Sequence, residues 1–395
     1  MSKKLFLYMS SARHNAYRNL VTNPPDGFEF AESEFMAPGL VLATQSLPSG
    51  RSSGTKRLAS ALETFLSPYY NYAHIRLNHP KVRGFRSDEY DLVHSGQSLL
   101  DTNLPYVVDF EHASVFAGYN QYALRRPRFV QALESVLRDK KLKKLLAWSD
   151  AAAKSLTNFV KDDEIAHKLE TFYPIMPPAR RVARTSSSFN FLFIGKSFYA
   201  KGGYESLLAF EKLHSKCDCH FTAIGNIPPE VYAQFGNNKN ISLLQKVPYQ
   251  KVVEFYSNSD VFVFPTHYDT YGFVIPEALS FGLPVISVED FSTPELVQHE
   301  KTGLLIKTYF SSFGDDFGYA TRTLQELSKK RIEACTKPPG WYVELLAAAM
   351  QRMIDDEGFR KACAANAIRE TTEGKFSPER SKAQIKCIYE NALDA

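Results

Sequence analysis

Short apolar runs alternate along the chain with stretches whose apolar residues recur at helical spacing. In the first half, the runs Lys4–Met9, Gly39–Ala43, Ala73–Leu77, Asp91–His94 and Tyr106–Phe110 predict strands. Continuous runs of this kind suit parallel strands covered on both faces. Helical patterns lie at Thr55–Leu66 and Arg128–Leu137, and Lys143–Ser149 with Ala151–Val160 predicts a further strand and helix. The second half repeats the alternation more cleanly. Strands are predicted at Phe189–Ile194, Phe221–Ile224, Ile241–Leu244, Val261–Phe264, Val285–Val288 and Leu304–Ile306. Helices are predicted between them at Gly203–His214, Glu230–Phe235, Pro248–Ser257 and Pro276–Phe281, with closing helices at Trp341–Glu357 and Pro378–Leu393. Regular strand–helix alternation predicts doubly wound parallel sheets, whose ligands lie beyond the C-terminal strand ends.

Between the two halves, Phe172–Ser188 holds Pro174, Pro177, Pro178 and a run of serines. Prolines disfavour helix and serines build no core, so this stretch reads as a linker. The expected organisation is a first α/β domain over 1–173, a linker over 174–188, a second α/β domain over 189–375, and a closing helix over 376–395.

Composition changes this picture little. The 395 residues are 44% hydrophobic and 23% charged with a net charge of +4, as in an ordinary globular protein. Nothing marks a nucleic-acid binder. Five scattered cysteines show no zinc spacing, Cys217 and Cys219 read as too close for an easy bridge, and a reducing cytosol is the simplest setting. The apolar run Leu5–Met9 is too short for a signal-peptide core, and no run reaches membrane-span length.

The chemistry concentrates at two places in the second half. Gly195-Lys196 through Lys201-Gly202-Gly203 closes one strand and opens the next helix, so both lysines stand at the crevice mouth. Lysines there suit phosphate, at roughly 1.5–3 kcal/mol per charge-assisted hydrogen bond. The spacing is neither a Walker loop nor Gly-x-Gly-x-x-Gly, and a solvated loop is the plain alternative. Asp269 and Glu277 then stand eight positions apart, with the Tyr271–Pro276 turn, including Gly272-Phe273-Val274, between them. Backbone amides of that turn and of the following helix start provide a second anion site. Glu277 suits a vicinal diol. Taken singly, Asp269 is equally a turn residue and Glu277 a first-turn helix acid.

These motifs resemble the donor domain of retaining glycosyltransferases of the GT-B fold, in particular glycosyltransferase family 4. The family's Gly-Arg-x-x-x-x-Lys-Gly becomes Gly195-Lys196…Lys201-Gly202, with lysine for arginine. Its paired acids become Asp269…Glu277-Ala278, with aspartate for the first glutamate, followed by Gly282-Leu283-Pro284-Val285. Glu295-Leu296-Val297 and Thr302-Gly303-Leu304-Leu305 also match. The resemblance spans about residues 189–307, after which Tyr309–Pro339 looks like an insertion. In the first half, Pro105–His112 looks like the family's strand ending in an active-site histidine. The family's glycine-rich loop after the first strand is replaced by Met9-Ser10-Ser11-Ala12-Arg13-His14, which puts the acceptor site in doubt.

The resemblance implies a GT-B architecture of two Rossmann-like domains facing across a cleft. It implies a metal-independent hexosyltransferase that uses a UDP- or GDP-sugar, takes no cofactor, and retains configuration. Lys196, Lys201, Gly195 and the turn Gly272-Phe273-Val274 would hold the diphosphate, and Glu277 the ribose. Val247, in the Gln245–Val247 loop, would meet the base. Asp269 would hold donor-sugar hydroxyls, and His112 the sugar's primary hydroxyl. The chain contains no Asp-x-Asp motif. Arg13 is a candidate for an anionic acceptor, with a surface arginine as the plain reading. The acceptor would be a glycan or a lipid-linked sugar. The alternatives are an inactive transferase-like binding subunit, or a sugar-nucleotide epimerase on the same fold.

Leu137–Trp148 mixes four lysines with leucines and a tryptophan. Such a segment can bind anionic lipid, which would place the protein at the inner face of a membrane. The favoured reading is a solvated turn leading into a buried strand.

Overall fold

The structure is a computed structural model that describes residues 2–9, 15–30, 80, 82–120, 123–176, 179, 182–185, 188–213, 218–321 and 324–394. The expected elements at Gly39–Ala43, Thr55–Leu66 and Ala73–Leu77 lie outside these residues.

The first half forms a six-stranded parallel sheet from β1 (Lys3–Met9), β2 (Phe28–Phe30), β4 (Leu92–Gly96), β6 (Tyr106–Phe110), β7 (Leu142–Ala147) and β8 (Leu169–Thr171), in the order β2-β1-β4-β6-β7-β8. A separate parallel pair joins β3 (Val82–Phe85) to β5 (Leu99–Thr102). Every residue of β4 and β6 is buried, including His94, Ser95 and Asp109, as in parallel strands covered on both faces. Helix Pro127–Leu137 starts with proline where its missing N–H is harmless, and buries Phe129, Leu133 and Leu137. Ser149 caps helix Asp150–Thr157 by accepting from the Ala152 amide. The lysine-rich stretch Leu137–Trp148 supplies β7, the buried-strand reading of that segment.

The second half forms another six-stranded parallel sheet from β9 (Phe189–Gly195), β10 (Cys219–Gly225), β11 (Ile241–Leu244), β12 (Val261–Val263), β13 (Val285–Val288) and β14 (Gly303–Ile306). Its order is β11-β10-β9-β12-β13-β14. The chain winds outward from β9 to one side, then returns beside it at β12 and winds the other way. The crevice at the β9/β12 C-terminal ends is therefore the switch point where such sheets bind ligands. Cys219 is disulfide-bonded. Cys217 lies outside the described residues.

Boundaries shift at several helices. Pro248 is the residue before helix Tyr249–Ser257 rather than its first residue. The helix expected at Pro276–Phe281 starts two residues earlier and runs Val274–Ser280. Helices Asn15–Thr22, Asp163–Lys168, Thr293–Leu296, Leu324–Cys335 and Glu357–Thr372 were not foreseen. Leu324–Cys335 lies inside the expected insertion, and Glu357–Thr372 is capped by the Asp356 side chain on the Phe359 amide. The described residues of 172–188 carry neither helix nor strand. The last helix, Pro378–Asp394, places Ile385, Ile388, Tyr389 and Ala392 in one cluster with Leu5, Leu92, Val107 and Leu146 of the first sheet.

Candidate functional site

The crevice at β9 and β12 is built by close backbone packing. A Cβ at Gly195 would meet Phe193 and Lys201, and a Cβ at Gly202 would strike the Pro265 carbonyl. Gly202 also has φ +78°, which only glycine adopts freely. The loop from β9 is thereby folded onto the end of β12, and Lys201 reaches across. Its Nζ lies 2.6 Å from Asp269 Oδ2 and also donates to the Tyr268 carbonyl. Both side chains remain partly open, at 17% and 20% exposure. Lys196 is exposed at the rim. Sequence reasoning set Asp269 against both lysines; the structure pairs it with Lys201.

Past Asp269 the chain turns at Gly272, whose φ of +80° is again in the left-handed region. The Ile275 amide bonds back to the Gly272 carbonyl at 2.8 Å, so it is already used within the turn. Phe273 packs edge-on against Trp148 of the first half, with centroids 5.3 Å apart, and Val274 begins the helix that carries Glu277. Glu277 accepts from Tyr249 at 2.9 Å and from Tyr256 at 3.2 Å. Burial pushes its carboxyl above the usual range, and the two tyrosine hydroxyls offset this in part. Val247 is half-buried at the edge of the second core, before the helix that carries both tyrosines.

The first half closes the other side. Glu111 accepts from Thr270 at 2.8 Å and from Tyr119 at 3.1 Å. Its pKa is raised by burial, with the Asp269 charge adding and Lys201 opposing. In the sequence Glu111 stands within the Pro105–His112 strand motif. Its signal was an acid directly preceding the candidate histidine.

His112 is fully buried. Nδ1 accepts from the Ser114 amide, capping the short helix Ala113–Ala117, and Nε2 donates to the Phe317 carbonyl at 2.9 Å. The ring lies 4.5 Å from that of Tyr319. Burial lowers its pKa to about 4. The expected partner, a sugar hydroxyl, would need the Nε2–H that Phe317 already takes. The segment expected to be an insertion thus reaches the first half. Asp316 pairs with Arg125, and its carbonyl accepts from Asn158 at 3.0 Å. Glu295 makes a further bridge, accepting from the Asp150 and Ala151 amides at 2.7 Å each. Arg13 lies outside the described residues.

Residues 180–313 match the family described as Glycosyl transferases group 1. The chain is 24% identical over 208 residues to the capsular polysaccharide biosynthesis glycosyltransferase CapM of Staphylococcus aureus, covering 51% of this chain and 46% of that protein. It is 27% identical over 128 residues to the N-acetyl-alpha-D-glucosaminyl L-malate synthase of Bacillus anthracis, covering 31% and 32%. The chain thus spans less than half the length of these curated relatives. Among solved structures it resembles HepE of Anabaena in complex with UDP and glucose, with TM-score 0.59, 13% identity and coverage of 99% and 100%. It also resembles WaaG, a glycosyltransferase involved in lipopolysaccharide biosynthesis, with TM-score 0.54, 14% identity and coverage of 97% and 99%. The chain has the GT-B fold, and its second half resembles glycosyltransferases of the group 1 kind.

Proposed function

We propose that this chain is a retaining hexosyltransferase that moves a sugar from a UDP- or GDP-sugar to a hydroxyl of a glycan or lipid-linked acceptor. In this reading residues 1–173 bind the acceptor, 174–188 link, 189–375 bind the donor, and 376–395 cross back. The observation that carries it is the Lys201–Asp269 pair, held at the switch point of the second sheet by Gly195 and Gly202. A UDP-bound relative of the same fold supports the donor class.

The donor diphosphate takes the place of Asp269 as the partner of Lys201, with Lys196 closing from the rim and the Gly272–Val274 backbone opposite. The bond from the anomeric carbon to the diphosphate breaks, and its oxygen keeps the electron pair. Lys201 is positioned to stabilise that growing charge, a form of catalysis aimed at where charge develops. Asp269, released, turns to the sugar hydroxyls, and Glu277 holds the ribose diol beside Tyr249 and Tyr256. The acceptor oxygen bonds the anomeric carbon from the leaving-group face, and its proton passes to the departing diphosphate. Two lysines supply the positive charge, so no metal ion is required in this step.

The engagement of His112 by Phe317 favours one second reading, a donor-binding subunit without turnover. A thermal-shift screen with UDP, GDP and ADP, followed by assay of nucleotide release from the matching sugar nucleotides, separates the two. Stabilisation by one nucleotide follows from its binding the folded state. Slow release from its sugar form supports the transferase. Tight binding with no release from any donor supports the inactive subunit, and no binding overturns both.

A further inference from the structure

Beneath the Lys201–Asp269 pair lies a buried cluster that the transfer reaction does not use. Glu205, His267 and Cys335 are each fully buried, and one ligand atom from each lies within 4.8 Å of the others. Glu205 stands in the first turn of the helix that opens after Gly202, His267 two residues before Asp269, and Cys335 ends helix Leu324–Cys335.

His267 and Glu205 sit in a buried network that leaves polar atoms unmet. Nδ1 lies 3.1 Å from the Phe310 carbonyl and 3.4 Å from the Thr308 hydroxyl, which itself donates to Phe310. Nε2 faces Glu205 Oε1 at 2.9 Å, which also takes the Tyr309 hydroxyl at 2.6 Å. A proton or a metal cation must lie between the two. Glu205 Oε2 has no partner at all, nor has the buried Tyr342 hydroxyl, whose ring lies 6.0 Å from that of His267. A buried carboxylate oxygen without a partner is costly, and a single proton between Nε2 and Oε1 leaves it unmet.

We propose that Glu205, His267 and Cys335 bind a divalent zinc-like cation that fastens the 309–335 segment to the underside of the Lys201–Asp269 site. One carboxylate, one imidazole and one thiolate are a zinc donor set, and their two negative charges balance the ion in a dry pocket. Ligand atoms around one tetrahedral zinc stand roughly 3.3–3.8 Å apart, and those of the cluster lie within 4.8 Å of one another. The Phe310 carbonyl is the outer partner that orients a metal-bound histidine through its other nitrogen. The Tyr309 hydroxyl, 2.6 Å from Glu205 Oε1, supplies a further oxygen nearby. The role is structural and stands apart from the leaving-group chemistry.

The test uses the full chain, expressed in zinc-supplemented medium and purified without chelator. Elemental analysis is expected to find about one zinc per chain. Replacement by cobalt is expected to give a thiolate-to-metal charge-transfer band that Cys335→Ser abolishes while Cys363→Ser and Cys387→Ser keep. Should Cys335→Ser fail to fold, X-ray absorption of the wild-type protein decides. A sulfur shell at about 2.3 Å supports the site. Metal-free protein with no cobalt band, a band surviving in Cys335→Ser, or a metal shell without sulfur overturns it.

Discussion

The Thr270 hydroxyl of the second half donates to Glu111 of the first at 2.8 Å. The bond joins the residue after Asp269 to the residue before His112, so the two candidate walls are latched at the crevice. Thr270→Val keeps the shape and removes the donor. Glu111, whose carboxyl is already disfavoured as an ion by burial, keeps only Tyr119. The expected cost is about 1–3 kcal/mol in urea unfolding at neutral pH. Unchanged stability would show that the latch contributes nothing in solution.

Lys201→Ala removes the group placed to meet the leaving diphosphate. Loss of one such donor lowers kcat by about 10²–10³-fold. The helix after Gly202 and the close approach to Pro265 depend on glycine, not on the lysine side chain, so circular dichroism should match the wild type. A variant that folds and retains full turnover removes Lys201 from the mechanism.

The sheet of the second half was legible because each strand is a short buried run punctuated by a helix start or a glycine. Its strand order was not. Nothing local in β12 says that it returns beside β9 rather than beside β11. Gly195, Lys201, Gly202, Asp269 and Gly272 were legible through motif spacing, and the structure gathers them at one switch point. The pairing of Lys201 with Asp269 needed the fold, because 68 positions separate the two. Glu111 and Glu295 were missed as latches for the same reason: each meets a partner on the opposite half. The cluster of Glu205, His267 and Cys335 has no sequence spacing to betray it. Helix Glu357–Thr372 escaped because its alanines and charged residues give it little apolar stripe, and only Cys363, Ala367 and Thr371 are buried.

Glu277→Gln tests the ribose assignment. The amide keeps the size and one acceptor oxygen but loses the charge and the second acceptor. The expected loss is about 1.5–3 kcal/mol in affinity for the nucleoside diphosphate, or roughly 10–150-fold. If the carboxylate grips the diol, a 2′-deoxynucleotide binds the wild type weakly and the variant no worse than the wild type. Isothermal titration of both ligands against both proteins completes the cycle. Additive losses would place Glu277 elsewhere.

His112 gives a pH dependence with a definite sign. Burial holds its pKa at about 4, against an ordinary value of 6.5, with the Phe317 carbonyl and the nearby Asp316 charge opposing the shift. Ser114 and the rings of Phe291, Phe313 and Tyr319 complete its surroundings. Between these values the unfolded chain binds the proton and the folded chain does not, so folding stability rises with pH. The contribution is present above pH 6.5 and is lost as pH falls toward 4, about 3 kcal/mol at full extent. Glu111 and Glu277, whose carboxyls burial raises, act in the opposite sense, so the wild type alone does not isolate the histidine. His112→Gln keeps a donor for Phe317 and removes the titration. Between pH 7.5 and pH 5 the wild type should lose about 2 kcal/mol more than this variant in urea unfolding. Equal pH slopes would mean that the ring is open to solvent, free for the sugar hydroxyl rather than locked on Phe317.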